Sequence, residues 1–105
     1  MSEDRSRVLH VTRTEANVTA FRHGTLDLKL AIPARPNVQA PHAQDEAYIV
    51  VRGRGVLFHD GRRDPFEPGD FLFVAAGVEH HFEDFDGDLL IWRIFYGPDG
   101  GEIAE

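Results

Sequence analysis

The stretch Ala47-Tyr48-Ile49-Val50-Val51-Arg52-Gly53-Arg54-Gly55-Val56-Leu57-Phe58-His59-Asp60-Gly61 decides the fold. It holds two short runs of β-branched and aromatic residues, each too brief for a helix, divided by glycines. Asp60-Gly61 closes the second run with a hairpin signal, because glycine tolerates the positive φ that tight turns demand. The same pattern recurs outward in both directions. Runs at Val8 to Arg13, Val18 to Arg22, Thr25 to Ile32, Phe71 to Ala75, His80 to Phe85 and Leu89 to Phe95 predict further strands. Asp86-Gly87 joins the last two. Only Thr14 to Asn17 suggests a helical turn, and Ile32-Pro33-Ala34-Arg35-Pro36 reads as a loop, since proline donates nothing to a ladder. The chain is therefore expected to be all-β, a sandwich or barrel whose mouth can hold a small ligand. Tyr48-Ile49-Val50-Val51 and Leu90-Ile91-Trp92 are apolar on both faces. One face must line the interior and the other meet a second sheet or subunit, so a homodimer is expected.

Composition narrows the function. The 105 residues, 42% of them hydrophobic, suit one domain, placed at residues 8–105 behind a polar tail at residues 1–7. A net charge of -7, from 18 acidic and 11 basic residues, would repel a phosphate backbone, so nucleic acid is not an expected partner. The densest basic group, Arg52, Arg54, Arg62 and Arg63, surrounds glycine turns among acids and reads as solvated loop. With no cysteine, any metal must be held by nitrogen and oxygen donors. Serines occur only at Ser2 and Ser6, in the tail, which argues against serine catalysis. Gly53-Arg54-Gly55 precedes a strand, whereas a glycine-rich phosphate loop needs a helix N-terminus. The N-terminus lacks the apolar run of a secretory signal, so a cytoplasmic location is expected. Phe71 to Val78, the longest apolar run, is too short to cross a bilayer as a helix, and no membrane partner is expected.

Against this background Pro41-His42-Ala43-Gln44-Asp45-Glu46 and Gly77-Val78-Glu79-His80 carry the chemistry. In an extended chain His42, Gln44, Glu46, Tyr48 and Val50 share one side, because side chains alternate with a period of two. If Val50 is interior, so is Glu46, and a buried carboxylate is costly unless paired, hydrogen-bonded or bound to a cation. His80 opens a later strand, alternates with Phe82 and so has a route to the same interior, while its neighbour His81 must face outward. Two histidines and a carboxylate are usual ligands of divalent transition metals, and such a set leaves positions open for substrate or oxygen.

These motifs resemble those of the cupin superfamily. Its first motif ends in a His, three or four residues, a Glu, six residues and a Gly, which His42, Glu46 and Gly53 match. The second motif, with Gly, Pro, Gly, His and Asn at fixed spacing, is matched at Gly69, Ala75, Gly77, His80 and Asp84, with Ala for Pro and Asp for Asn. The resemblance covers Ala40 to Asp84 and implies a single-domain jelly roll holding a divalent transition metal, Fe, Zn, Mn or Ni, on His42, Glu46 and His80. The family usually carries a further His two residues before the one matched by His42; Ala40 stands there, and Gln44 is the candidate replacement donor. Tyr48 is expected to line the pocket, and Arg93, if its side chain faces inward, would pair with a substrate carboxylate. Strand alternation alone leaves the face of Arg93 open. The expected function is a metal-binding protein acting on or binding a small organic molecule, by oxygenase-type chemistry or by Lewis-acid isomerisation or decarboxylation. A non-catalytic binding module is the alternative.

Overall fold

The structure, a computed structural model, describes residues 5–103. The outermost residues of the expected tail and domain, 1–4 and 104–105, lie outside them. After a 3-10 turn at Arg13–Glu15, eight strands follow: β1 Thr19–His23, β2 Leu26–Ala31, β3 Asp45–Arg52, β4 Gly55–His59, β5 Arg62–Phe66, β6 Phe71–Val74, β7 His80–Glu83 and β8 Leu90–Tyr96. They form a five-stranded sheet in the order β1-β2-β8-β3-β6 and a three-stranded sheet in the order β5-β4-β7, with every pairing antiparallel. This is a jelly-roll β fold. Among the described residues, no helix is long and apolar enough to cross a membrane.

Two expectations about strands are corrected. Among the described residues Val8 to Arg13 pairs with no strand and lies largely exposed, Val8 at 79%, since a run with the right alternation gains little without a ladder partner. Conversely Arg62–Phe66 is a strand at the sheet edge, where Pro65 is tolerated because its missing N–H faces no neighbour.

The two sheets meet through Tyr48, Val50, Ile91 and Ala31 on one side and Leu57, Phe66 and Phe82 on the other. Phe82 sits at the centre, edge-on to Tyr48 at 5.1 Å and to Phe66 at 5.6 Å between centroids, a favoured arrangement of aromatic rings. Gly53, the glycine of the first motif, has φ 92°, and an added Cβ would lie 2.8 Å from the Cα of Leu89. Both the backbone conformation and the close approach require glycine.

Register sorts the inner face of the large sheet into rows. Asp27, Phe95, Glu46 and Val74 stand side by side; next come Lys29, Arg93, Tyr48 and Leu72, and then Ala31, Ile91 and Val50. Because Arg93 is paired with the buried Tyr48, its face, open in the sequence, is the inner one. On the outer face Phe71, Ile49 and Trp92 align, with Phe73, Ala47 and Ile94 beside them; Phe71 is 64% and Phe73 47% exposed.

Candidate metal centre

The N-terminal end of β3 carries Glu46 inward, and β7 opens with His80 inward from the facing sheet. His42 precedes β3 in the loop that closes this end. One donor atom from each of His42, Glu46 and His80 lies within 4.8 Å of the others. Two donors on opposite sides of an ion span about 4.2 Å, so the group approaches the size of a coordination shell.

Polar contacts orient the side chains of two of them, His80 and Glu46. His80 is 1% exposed, and its Nδ1 donates to the Val78 carbonyl at 2.9 Å, since a carbonyl only accepts. That contact fixes the tautomer and turns Nε2 towards Glu46, the outer hydrogen bond usual for a ligating histidine. Glu46, also 1% exposed, accepts the Tyr48 hydroxyl on Oε2 at 2.7 Å. Its other oxygen, Oε1, lies 2.9 Å from His80 Nε2, yet neither atom has a hydrogen-bond partner, because the approach is off the line a hydrogen bond needs. A carboxylate oxygen and an imidazole nitrogen buried at this separation are held together by a cation beside both, a proton on the ring or a metal ion between them.

The titration of the two histidines reflects the same field. Burial disfavours the charged form of His80, but the Glu46 carboxylate and the Val78 carbonyl outweigh it and hold the imidazole above its ordinary pKa. Burial likewise pushes His42 down; Glu46 opposes this, and repulsion from His80 and Arg93 reinforces it. Burial, followed by the Glu46 charge, drives the Tyr48 phenol far up, so it remains a donor.

The site is braced from behind by Asp45, whose role the sequence did not announce. It is 5% exposed and faces away from Glu46, where Oδ1 accepts the Ala76 N–H and Oδ2 the Glu102 N–H, both at 2.9 Å. The next residue, Gly77, donates its N–H to the His42 carbonyl at 2.8 Å. One carboxylate thus steadies the loop that holds the backbone of His42 and supplies the Val78 carbonyl to His80. The signal in the sequence was an acid beside Glu46 on an otherwise apolar strand.

Gln44 is placed elsewhere. Its amide nitrogen donates to the Gly97 carbonyl at 2.8 Å and reaches that of Thr25 at 3.4 Å. Residues 42–44 bend before the strand begins, so the period-two alternation that put Gln44 beside His42 does not extend there. Asp84, at the Asn position of the second motif, is exposed with φ 48°, a conformation that Asn and Asp tolerate better than most residues. His81 faces outward, stacked on Phe58 at 4.8 Å and bonded to Glu83 at 2.8 Å.

A cavity of about 420 Å³ adjoins the cluster, lined by His42, Tyr48, Phe82, Ile91 and Arg93 and by the loop that includes Asn37, Gln39 and Ala40. Ala40 thus borders the cavity without offering a donor. The Phe95 ring carries His42 edge-on at 4.7 Å and the Arg93 guanidinium at 4.7 Å, placing both on one side of the site.

Residues 33–91 match the family model described as "Cupin domain", and the chain belongs to that family. It is similar, at 38% identity over 61 residues, to an uncharacterized protein of Streptomyces coelicolor; the match covers 58% of this chain and 58% of that protein. Among solved structures, a cupin protein from Bacteroides fragilis shares 18% identity at a TM-score of 0.67, covering 98% of this chain and 92% of the other. Iron(II) HppE in complex with substrate shares 16% identity at 0.64, covering 85% and 57%. At such identities the structural likeness shows the fold.

Proposed function

We propose that the chain is a metal-dependent cupin in which His42, Glu46 and His80 hold a divalent transition ion at the inner end of the cavity, where a small organic molecule binds. The observation that carries this reading is the pair of partnerless buried atoms, Glu46 Oε1 and His80 Nε2, 2.9 Å apart with His42 beside them. An ion of Fe, Zn, Mn or Ni supplies Lewis acidity there, and iron in a two-His-one-carboxylate set suits oxygen chemistry. The chain's own groups do the rest. Val78 keeps His80 in the ligating tautomer, Tyr48 keeps Glu46 turned by donating to Oε2, and Phe95 walls the site. Ala40 leaves the cavity side without a fourth protein donor, so the molecule bound there has access. A two-His-one-carboxylate set with open positions favours oxygenase-type chemistry first; Lewis-acid isomerisation or decarboxylation is the second reading.

Elemental analysis of protein purified without chelator, beside His42→Ala, Glu46→Ala and His80→Ala, tests the site. Stoichiometric metal in the wild type and loss in each variant are expected; equal content in all four contradicts it. Oxygen uptake with phenols, diketones and thiols then separates an enzyme from a binding module. We also propose that the exposed rows at Phe71, Ile49 and Phe73 pair with a second copy of the chain. Sedimentation should give a dimer that Phe71→Lys with Phe73→Lys dissociates, and a wild-type monomer would refute it.

A further inference from the structure

We infer that the molecule bound in the cavity is a small organic acid, its carboxylate received by Arg93 and its far end turned towards His42, Glu46 and His80. The inference deepens the function proposed above and rests on that cavity being the functional site.

Arg93 is a cation without a counterion. Its Nε is buried with no hydrogen-bond partner, and among the described residues no carboxylate lies within 4.0 Å of its guanidinium. The guanidinium lies over the Phe95 ring, 4.7 Å from its centroid, a contact that uses none of its N–H donors. A buried guanidinium nitrogen left unpaired is costly, and a planar carboxylate matches that fork with two parallel bonds.

The neighbouring strand adds to the case. Lys29 stands directly opposite Arg93 on the same face, and like charges so placed destabilise a sheet. Burial and then the Arg93 charge hold the Lys29 ammonium below its ordinary pKa. Asp27 attracts Lys29, but its carboxylate is already bonded to Arg22 at 3.1 Å. In a chain with a net charge of -7, two cations side by side on the inner face, of which Arg93 has no carboxylate within 4.0 Å among the described residues, form a place for an anion from outside.

Position and shape select the class. Arg93 is in the row next to Glu46 on the adjacent strand, a diagonal of about 7–8 Å. Arg93 and His42 share the Phe95 platform, so a molecule a few bonds long spans the distance between guanidinium and metal ligands. The cavity lining also includes Ala31, Ile32, Pro33 and Ile91, apolar residues that suit a hydrocarbon body. The planar fork of a guanidinium matches the two oxygens of a carboxylate.

Calorimetric titration of chelator-treated and Zn-loaded protein with benzoate and succinate, with benzamide and succinamide as uncharged controls, tests this. At least one acid should bind the wild type while its amide does not. Arg93→Gln should weaken that binding at least tenfold, Arg93→Lys should retain part of it, and Zn affinity should be unchanged in both. Acid binding that survives Arg93→Gln undiminished, inorganic phosphate binding more tightly than either acid, or no acid binding to the wild type would overturn the inference. If the wild type fails to take up Zn yet binds acid through Arg93, the metal assignment falls and the acid site stands. Should Arg93→Gln fail to fold, Arg93→Lys decides: the charge remains without the fork, and undiminished acid binding contradicts the inference.

Discussion

Replacing Asp45 with Asn tests how the metal ligands are held. The carboxylate accepts two backbone N–H bonds, Ala76 on Oδ1 and Glu102 on Oδ2. An amide keeps one acceptor and turns its NH₂ towards the other N–H, so one charge-assisted bond is replaced by donor facing donor. A buried hydrogen bond to a charged group contributes about 1.5–3 kcal/mol, which places Asp45→Asn about 2 kcal/mol below the wild type. Asp45→Ala leaves both N–H groups without that partner and should cost about 3–4 kcal/mol. For a domain of this size, 2 kcal/mol corresponds to a fall in Tm of roughly 8–16 °C. Since the Ala76 loop also binds the His42 backbone and presents Val78 to His80, Zn affinity measured on folded Asp45→Asn should weaken about tenfold, as for groups that orient metal ligands. Urea denaturation and competitive Zn titration read the two effects. An Asp45→Asn protein within about 0.5 kcal/mol of the wild type and with unchanged Zn affinity would refute the bracing role of Asp45.

Other expectations follow from single contacts. Tyr48→Phe removes the donor to Glu46 Oε2; Zn affinity by competition should fall 10- to 100-fold while the fold is kept, and an unchanged affinity would mean that the hydroxyl does not orient the carboxylate. Gly53→Ala places a Cβ against Leu89 in a left-handed backbone, costing at least about 2 kcal/mol by urea denaturation; a loss under about 0.5 kcal/mol would contradict the close approach. On the surface, hydrogen bonds from Arg63 and then His81 hold the Glu83 carboxyl below its ordinary value. A depressed carboxyl stabilises the fold above its unfolded pKa, near 4.5, and that contribution is lost as pH falls through the lower folded value. Arg63→Ala should therefore raise the Glu83 pKa in an NMR titration, and an unmoved titration would exclude the guanidinium as the cause.

The all-β class was legible because runs such as Tyr48 to Val51 and Gly55 to His59 combine β-forming residues with glycine punctuation. His42, Glu46 and His80 were legible as a set because their motif spacings match, and the structure brings them together. What the sequence could not supply was register. Alternation along β8 gave two equivalent faces for Arg93, and only its alignment with Tyr48 chose the inner one. Alternation also failed where the strand stopped: Gln44 was assigned by a period that ends at Asp45, and its amide instead ties the bend to Gly97. Arg62–Phe66 was missed because an edge strand needs apolar contact on few positions, and only Phe66 is buried. The bracing role of Asp45 is not legible in the sequence, because an acid beside another acid gives no sign of which backbone donors it meets across the fold.

The central claim is that one cation is shared by three side chains from two sheets and a loop. Anomalous diffraction from crystals grown with Zn tests it most directly. The account predicts one strong peak within about 2.0–2.2 Å of a nitrogen of His42, an oxygen of Glu46 and Nε2 of His80. Full Zn occupancy elsewhere, with His80 and Glu46 still facing each other and no peak between them, would contradict it.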